Sequence, residues 1–132
     1  MAGRSAVNVL LDTCAVLALT RGELPHAAAF ALRSAPEAYV SIVTPWEMAI
    51  KAAAGKLELQ DPPLLWFLGI ADRYRLRELQ IDVRTVCAAA ALSPIHRDPF
   101  DRILVALAQE TALTILTSDH NIAKYNGIKT LW

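Results

Sequence analysis

The stretch VNVLLDTCAVLALTRG, residues 7–22, decides the architecture. Residues 7–11 are apolar apart from Asn8, and the run stops at Asp12. A short apolar run without polar alternation reads as a strand buried on both faces, as in a parallel sheet covered by helices. Residues 13–22 then read as a short helix stopped by Gly22.

The alternation continues outward from there. An alanine-rich helix opened by Pro25 leads to a β-branched and aromatic strand, EAYVSIVT (37–44). In TPWEMAIKAAAG (44–55), Thr44 reads as the N-cap, Pro45 as the first helical residue, Glu47 as the third and Gly55 as the stop, the pattern of a capping box. DPPLLWFLGIADRYRL (61–76) reads as a helix, ELQID (78–82) as a short strand, and VRTVCAAAALS (83–93) as a helix halted before Pro94. In DPFDRILVALAQ (98–109), Asp98 is the expected N-cap, Pro99 comes first and Asp101 third. LTILTSD (113–119) and IKTLW (128–132) read as strands on either side of a small helix at 120–127. Strands alternating with helices predict an α/β layer fold with a mainly parallel sheet. A chain of 132 residues with no linker or repeat suggests one domain over residues 1–132.

Composition narrows the function classes. Hydrophobic residues make up 55% of the chain, which excludes disorder. Thirteen basic residues balance thirteen acidic ones, so no global basic field signals nucleic acid, and such a partner would need a local site. The uncharged runs are well short of the ~20 residues a membrane-spanning helix needs. The opening MAGRSAVNVLLD, with one arginine and a brief apolar run, matches a signal peptide poorly. Cys14 and Cys87 form no C-x-x-C pair, which suggests reduced thiols in a cytoplasmic protein. The five glycines are scattered, with no phosphate-cradling loop. An aspartyl phosphatase using Asp12 lacks a second aspartate two residues on, where Cys14 stands, and the spacing from Cys14 to Arg21 misses the C-x5-R of a cysteine phosphatase.

The acids are the informative residues. Asp12 and Asp119 each follow an apolar strand, Glu47 and Asp101 lie near helix starts, and Asp98 precedes Asp101 by three. In a parallel sheet the carboxyl ends of the strands share one edge, where ligands bind. Glu47 follows its strand directly and belongs at that edge, whereas Asp101 follows a helix and its placement there is an assumption. Converging carboxylates repel unless a cation neutralises them, and hard oxygen donors suit Mg²⁺ or Mn²⁺. Such a centre would hydrolyse a phosphodiester. The competing reading is plain capping, since acids in the first turn complement the helix dipole.

LLDTCAVLAL, VSIVTPWEMAIKAAAGKLEL, HRDPFDRILVALAQ, LTILTSD and the terminal IKTLW together resemble the PIN-domain nucleases, and among them the VapC-type toxins of type II toxin–antitoxin pairs. The pieces fall in the family's order and cover nearly the whole chain. The resemblance implies a three-layer α/β/α sandwich with a central, mainly parallel sheet of four to five strands. It implies a Mg²⁺- or Mn²⁺-dependent ribonuclease whose catalytic and metal-binding acids fall on Asp12, Glu47, Asp101 and Asp119. It also implies an RNA substrate such as transfer or ribosomal RNA, a cognate VapB-type antitoxin and a homodimer. A PIN fold without the chemistry, acting by binding RNA or antitoxin, is the alternative. Cys14 departs from the pattern, standing where a histidine is expected.

Other residues keep two readings each. Glu47 is a metal ligand or orients the attacking water. Asp98, Thr13, Thr117 and Ser118 are candidates for accessory roles, the hydroxyls otherwise making turn hydrogen bonds. Arg97 and Arg102 either meet RNA phosphates or pair with Asp98 and Asp101. Lys51 is a further RNA-binding candidate, with Lys56, or both belong to a solvated helix face. His96 is a lone loop histidine, a general acid only as a minor reading. Trp46, Trp66 and Phe67 read as core or contacts between copies rather than base-stacking platforms.

Overall fold

A computed structural model describes residues 6–132. The first five residues, on which part of the signal-peptide reading rests, lie outside the described residues. Strand β1 (Val9–Leu11) is fully buried along its length and forms the centre of the sheet. It pairs in parallel with β2 (Ala38–Ser41) on one side and β4 (Thr114–Leu116) on the other. The outer strands are β3 (Leu76–Leu79), beside β2, and β5 (Lys129–Leu131), beside β4. All five strands are parallel, in the order β3-β2-β1-β4-β5.

The helices are α1 (Thr13–Arg21), α2 (His26–Ser34), α3 (Val43–Ala53), α4 (Pro63–Tyr74), α5 (Val83–Ala91) and α6 (Pro99–Thr111). They make two apolar layers because alternate strand residues face opposite ways. Val9, Leu11, Val40 and Leu116 pack with Val16, Met48, Phe67 and Ile70 of α1, α3 and α4. Leu10 and Ile115 pack on the other side with Leu104, Val105 and Leu107 of α6. The result is a three-layer α/β/α sandwich. No helix among the described residues is long and apolar enough to cross a membrane.

Several boundaries differ from the sequence reading. Strand β3 begins at Leu76, two residues before the expected start. The small helix near the C-terminus is a single 3-10 turn, Ile122–Lys124. The capping box at Thr44 is not formed. Ser41 ends β2, and its Oγ accepts from the Val43 N–H at 3.2 Å, so α3 starts at Val43. Pro45 then sits in the first turn, where a missing N–H costs nothing. Glu47 becomes the fifth helical residue, too far along to cap, and Thr44 is buried with its hydroxyl unpartnered among the described residues. Asp98 caps α6 as expected, accepting from Phe100 N–H at 2.8 Å and Asp101 N–H at 3.4 Å.

Candidate functional site

Asp12 leaves the carboxyl end of β1 and enters α1. Its Oδ1 accepts from Ala15 N–H at 2.8 Å, so it caps the helix while its carboxylate stays buried. Thr117 follows β4, and its hydroxyl bonds the Asp12 carboxylate while accepting from Asp119 N–H at 3.0 Å. One threonine therefore ties the acids of the two central strands together. Ser118 between them is exposed and makes no side-chain hydrogen bond among the described residues.

Glu47 projects from the start of α3. Its Oε1 accepts from the Thr13 hydroxyl at 2.5 Å, and its Oε2 pairs with Lys51 Nζ at 2.8 Å, one turn on. This bond to Glu47 raises the Lys51 pKa. With capping excluded, the carboxylate is positioned wholly by these side chains.

Asp101 reaches the same edge for a topological reason. Helix α6 leads into β4, which starts at the opposite edge of the sheet, so the N-terminus of α6 lies at the carboxyl edge. His96 joins it to the rest, with Nε2 at 3.0 Å from Asp101 Oδ2 and 2.7 Å from Asp119 Oδ2. One ligand atom from each of His96, Asp101 and Asp119 lies within 4.8 Å of the others, a spacing that suits a cation.

The electrostatics record the convergence. Burial, above all, pushes the Asp12 carboxyl up to about 6, with the charges of Asp119 and Glu47 adding and hydrogen bonds from Thr117 and Ala15 opposing. Burial likewise lifts Asp101 to about 7, helped by the charges of Asp98, Asp12 and Glu47 and opposed by His96. Asp119 differs. Its partial burial pushes upward, but hydrogen bonds from His96 and the Asn121 N–H hold it below the ordinary value. Carboxylates this costly to ionise, offering oxygen donors, fit a hard divalent cation.

The other candidates separate clearly. Arg102 turns inward, its two terminal nitrogens donating to the carbonyls of Ala90, Leu92, Ser93 and His96 at 2.8–3.2 Å rather than pairing with Asp98 or Asp101. Arg97 is exposed and makes no ion pair among the described residues. It lines a cleft with Glu47, Lys51, Asp98 and Phe100. Trp46 is 59% exposed and meets Phe100 edge to face at 5.2 Å, so it is not a core residue, whereas Phe67 is buried and Trp66 half-buried. Both cysteines are free. Loss of water around the sulfur, then the charges of Asp12 and Asp101, raise the Cys14 thiol, so it rests protonated. The larger cavities, lined by residues such as Leu19, Leu32 and Tyr74 or Phe30 and Thr130, gather no acidic cluster. The bridging position of His96 is the feature the sequence least revealed, because it depends on how residues 93–97 cross the sheet edge.

The fold agrees with comparisons to known proteins. No curated protein sequence matches the chain. Among solved structures, VapBC2 of Rickettsia felis bound to a promoter DNA fragment superposes with a TM-score of 0.69 at 10% identity, over 94% of this chain and 97% of that one. DNA-bound VapBC of Salmonella typhimurium gives 0.67 at 19% identity over 95% and 97%. A toxin–antitoxin complex of Klebsiella pneumoniae gives 0.65 at 20% identity over 94% and 96%. These likenesses establish a shared fold. The PIN domain family model matches residues 9–128, nearly the whole chain, and the chain belongs to the PIN domain family.

Proposed function

We propose that residues 1–132 form one PIN domain acting as a Mg²⁺- or Mn²⁺-dependent endoribonuclease, the VapC-type toxin of a type II toxin–antitoxin pair. The observation that supports this reading is that Asp12, Glu47, Asp101 and Asp119, from four separate stretches, lie near enough at one sheet edge for their charges to act on one another, with two carboxyls pushed up to about 6 and about 7. Asp12, Asp101 and Asp119 would hold the cation, with Glu47 beside them. A bound divalent cation supplies charge neutralisation at the phosphodiester and makes water a better nucleophile. Glu47, held by Thr13 and Lys51, would either join the ligands or orient the attacking water. Arg97 and Lys51, on the neighbouring cleft, offer cationic contacts to the RNA backbone. Asp98 and Thr117 serve by holding Asp101 and Asp12.

The toxin reading draws on the solved complexes named above, which share the fold. It implies a VapB-type antitoxin partner, a cytoplasmic setting and transfer or ribosomal RNA as target. Leu64, Leu65 and Leu68 stand exposed on α4, an apolar face that supports a homodimer. The test is cleavage of total cellular RNA by antitoxin-free protein with Mn²⁺, Mg²⁺ or EDTA, beside Asp12→Asn. Discrete fragments that require both metal and Asp12 are expected. Fragments that persist in EDTA or with Asp12→Asn would refute the reading, and silence from folded protein would favour the binding module without chemistry.

A further inference from the structure

We propose that His96 is the positioning residue of this site: a fixed N–H donor that sets the Asp101–Asp119 pair, and not itself a metal ligand. The inference rests on the reading of these acids as cation ligands. It starts from the ring nitrogen on the far side. His96 Nδ1 accepts from the backbone N–H of Asp98 at 3.2 Å. An accepting nitrogen carries no proton, so the donor of this ring is Nε2. That N–H donates to Asp119 Oδ2, 2.7 Å away, and Asp101 Oδ2 lies 3.0 Å from the same nitrogen. Ligation through Nε2 would move the proton to Nδ1 and set it against the Asp98 N–H. Asp98 cannot yield, because its side chain caps α6.

The backbone around the ring is held as firmly. His96 N–H donates to Tyr125 Oη at 2.8 Å, and Tyr125 is buried. The His96 carbonyl accepts from Arg102 Nη1 at 3.0 Å. The same guanidinium holds the carbonyls of Ala90, Leu92 and Ser93. Arg102 lies one residue after Asp101, so one turn of α6 both carries an acid and anchors the loop that aims a donor at it. The imidazole thus offsets the repulsion between two carboxylates and fixes the interval that a cation meets. Donors of this kind, bonded to ligands rather than to the metal, typically change affinity ten- to a hundredfold when removed.

The test combines nitrogen NMR of ¹⁵N-histidine-labelled protein with calorimetric Mg²⁺ titration. In metal-free wild-type protein, His96 Nδ1 is expected to give an unprotonated and Nε2 a protonated signal, and the pattern should persist at saturating Mg²⁺. His96→Gln, whose amide can replace the Nε2 donor, should keep Mg²⁺ affinity within about threefold, while His96→Ala should lose about ten- to a hundredfold. A protonated Nδ1, or a proton shift to Nδ1 on adding Mg²⁺, would overturn the proposal, as would His96→Gln falling as far as His96→Ala. If His96→Ala does not fold, the wild-type spectra decide alone. If wild-type protein binds no Mg²⁺ or Mn²⁺, the nuclease reading fails, and the metal-free spectrum still decides the donor assignment.

Discussion

Replacing Asp101 by asparagine should make the metal-free protein more stable at pH 8. Asp101 is held at about 7 against an ordinary value near 3.8, and its side chain is only 20% exposed. About three pKa units correspond to ~4 kcal/mol, the ceiling on what ionising this carboxyl costs the folded state. Asparagine keeps the size and an oxygen beside the His96 ring. It forfeits the attraction of an anion to the first turn of α6, about 0.3–1 kcal/mol. The net expectation is a gain of roughly 2–3 kcal/mol. The sign follows from linkage. The folded pKa is raised, so the folded state binds this proton more tightly and the cost is absent below about pH 4, where both states are protonated. It grows as pH rises through the folded value near 7 and is complete by pH 8. Urea unfolding in EDTA at pH 5, 6, 7 and 8 should therefore show the mutant pulling ahead as pH rises. Mn²⁺ should close the gap when free metal is about a hundred times its dissociation constant, which adds about 2.7 kcal/mol to the wild type alone, and reverse the order at about a thousand times, which adds about 4.1 kcal/mol. A mutant no more stable than wild type at pH 8 in EDTA, or a gain independent of pH, would refute the electrostatic account.

Other substitutions test the packing. Thr44→Val should raise stability by about 1 kcal/mol in chemical denaturation, because it removes a buried, unpartnered hydroxyl without changing shape. Arg102→Met should cost about 2–4 kcal/mol, since it orphans carbonyls at four residues. Leu10→Ala, at the fully buried centre of β1, should cost about 2–5 kcal/mol in the same assay. Trp46→Ala should cost less than about 1.5 kcal/mol, because the ring is mostly exposed and loses chiefly its edge contact with Phe100.

The layer architecture was legible because β1, β2 and β4 are buried apolar runs, each preceded or followed by a helix with clear punctuation. The position of Asp12, Glu47 and Asp119 at the carboxyl edge was legible because the strand ends, and the helix starts that directly follow them, share that edge of a parallel sheet. Asp101 could have been placed there too, since the helix before β4 must begin at the carboxyl edge. Local chemistry misled at α3. The capping pattern of Thr44 and Glu47 is genuine in sequence, but Ser41 starts the helix earlier, and tertiary packing then claims Glu47 for Thr13 and Lys51. The inward turn of Arg102 and the bridge made by His96 were not legible. Both depend on the path of an irregular loop, and no periodicity encodes such a path.

The central strand pair also acts as a ruler. Leu11 lies opposite Leu116, and Asp12 N–H still reaches the Leu116 carbonyl at 3.3 Å. The interval between the first and last acids is therefore marked off by the main chain. Side chains at this edge can be exchanged, and the chemistry retuned, without moving the marks. Adding or removing one residue within β1 or β4 is another matter. It would slide the scale by a single step and turn an acid toward the opposite face of the sheet. Variation at this edge should therefore be tolerated as substitution and rejected as insertion or deletion.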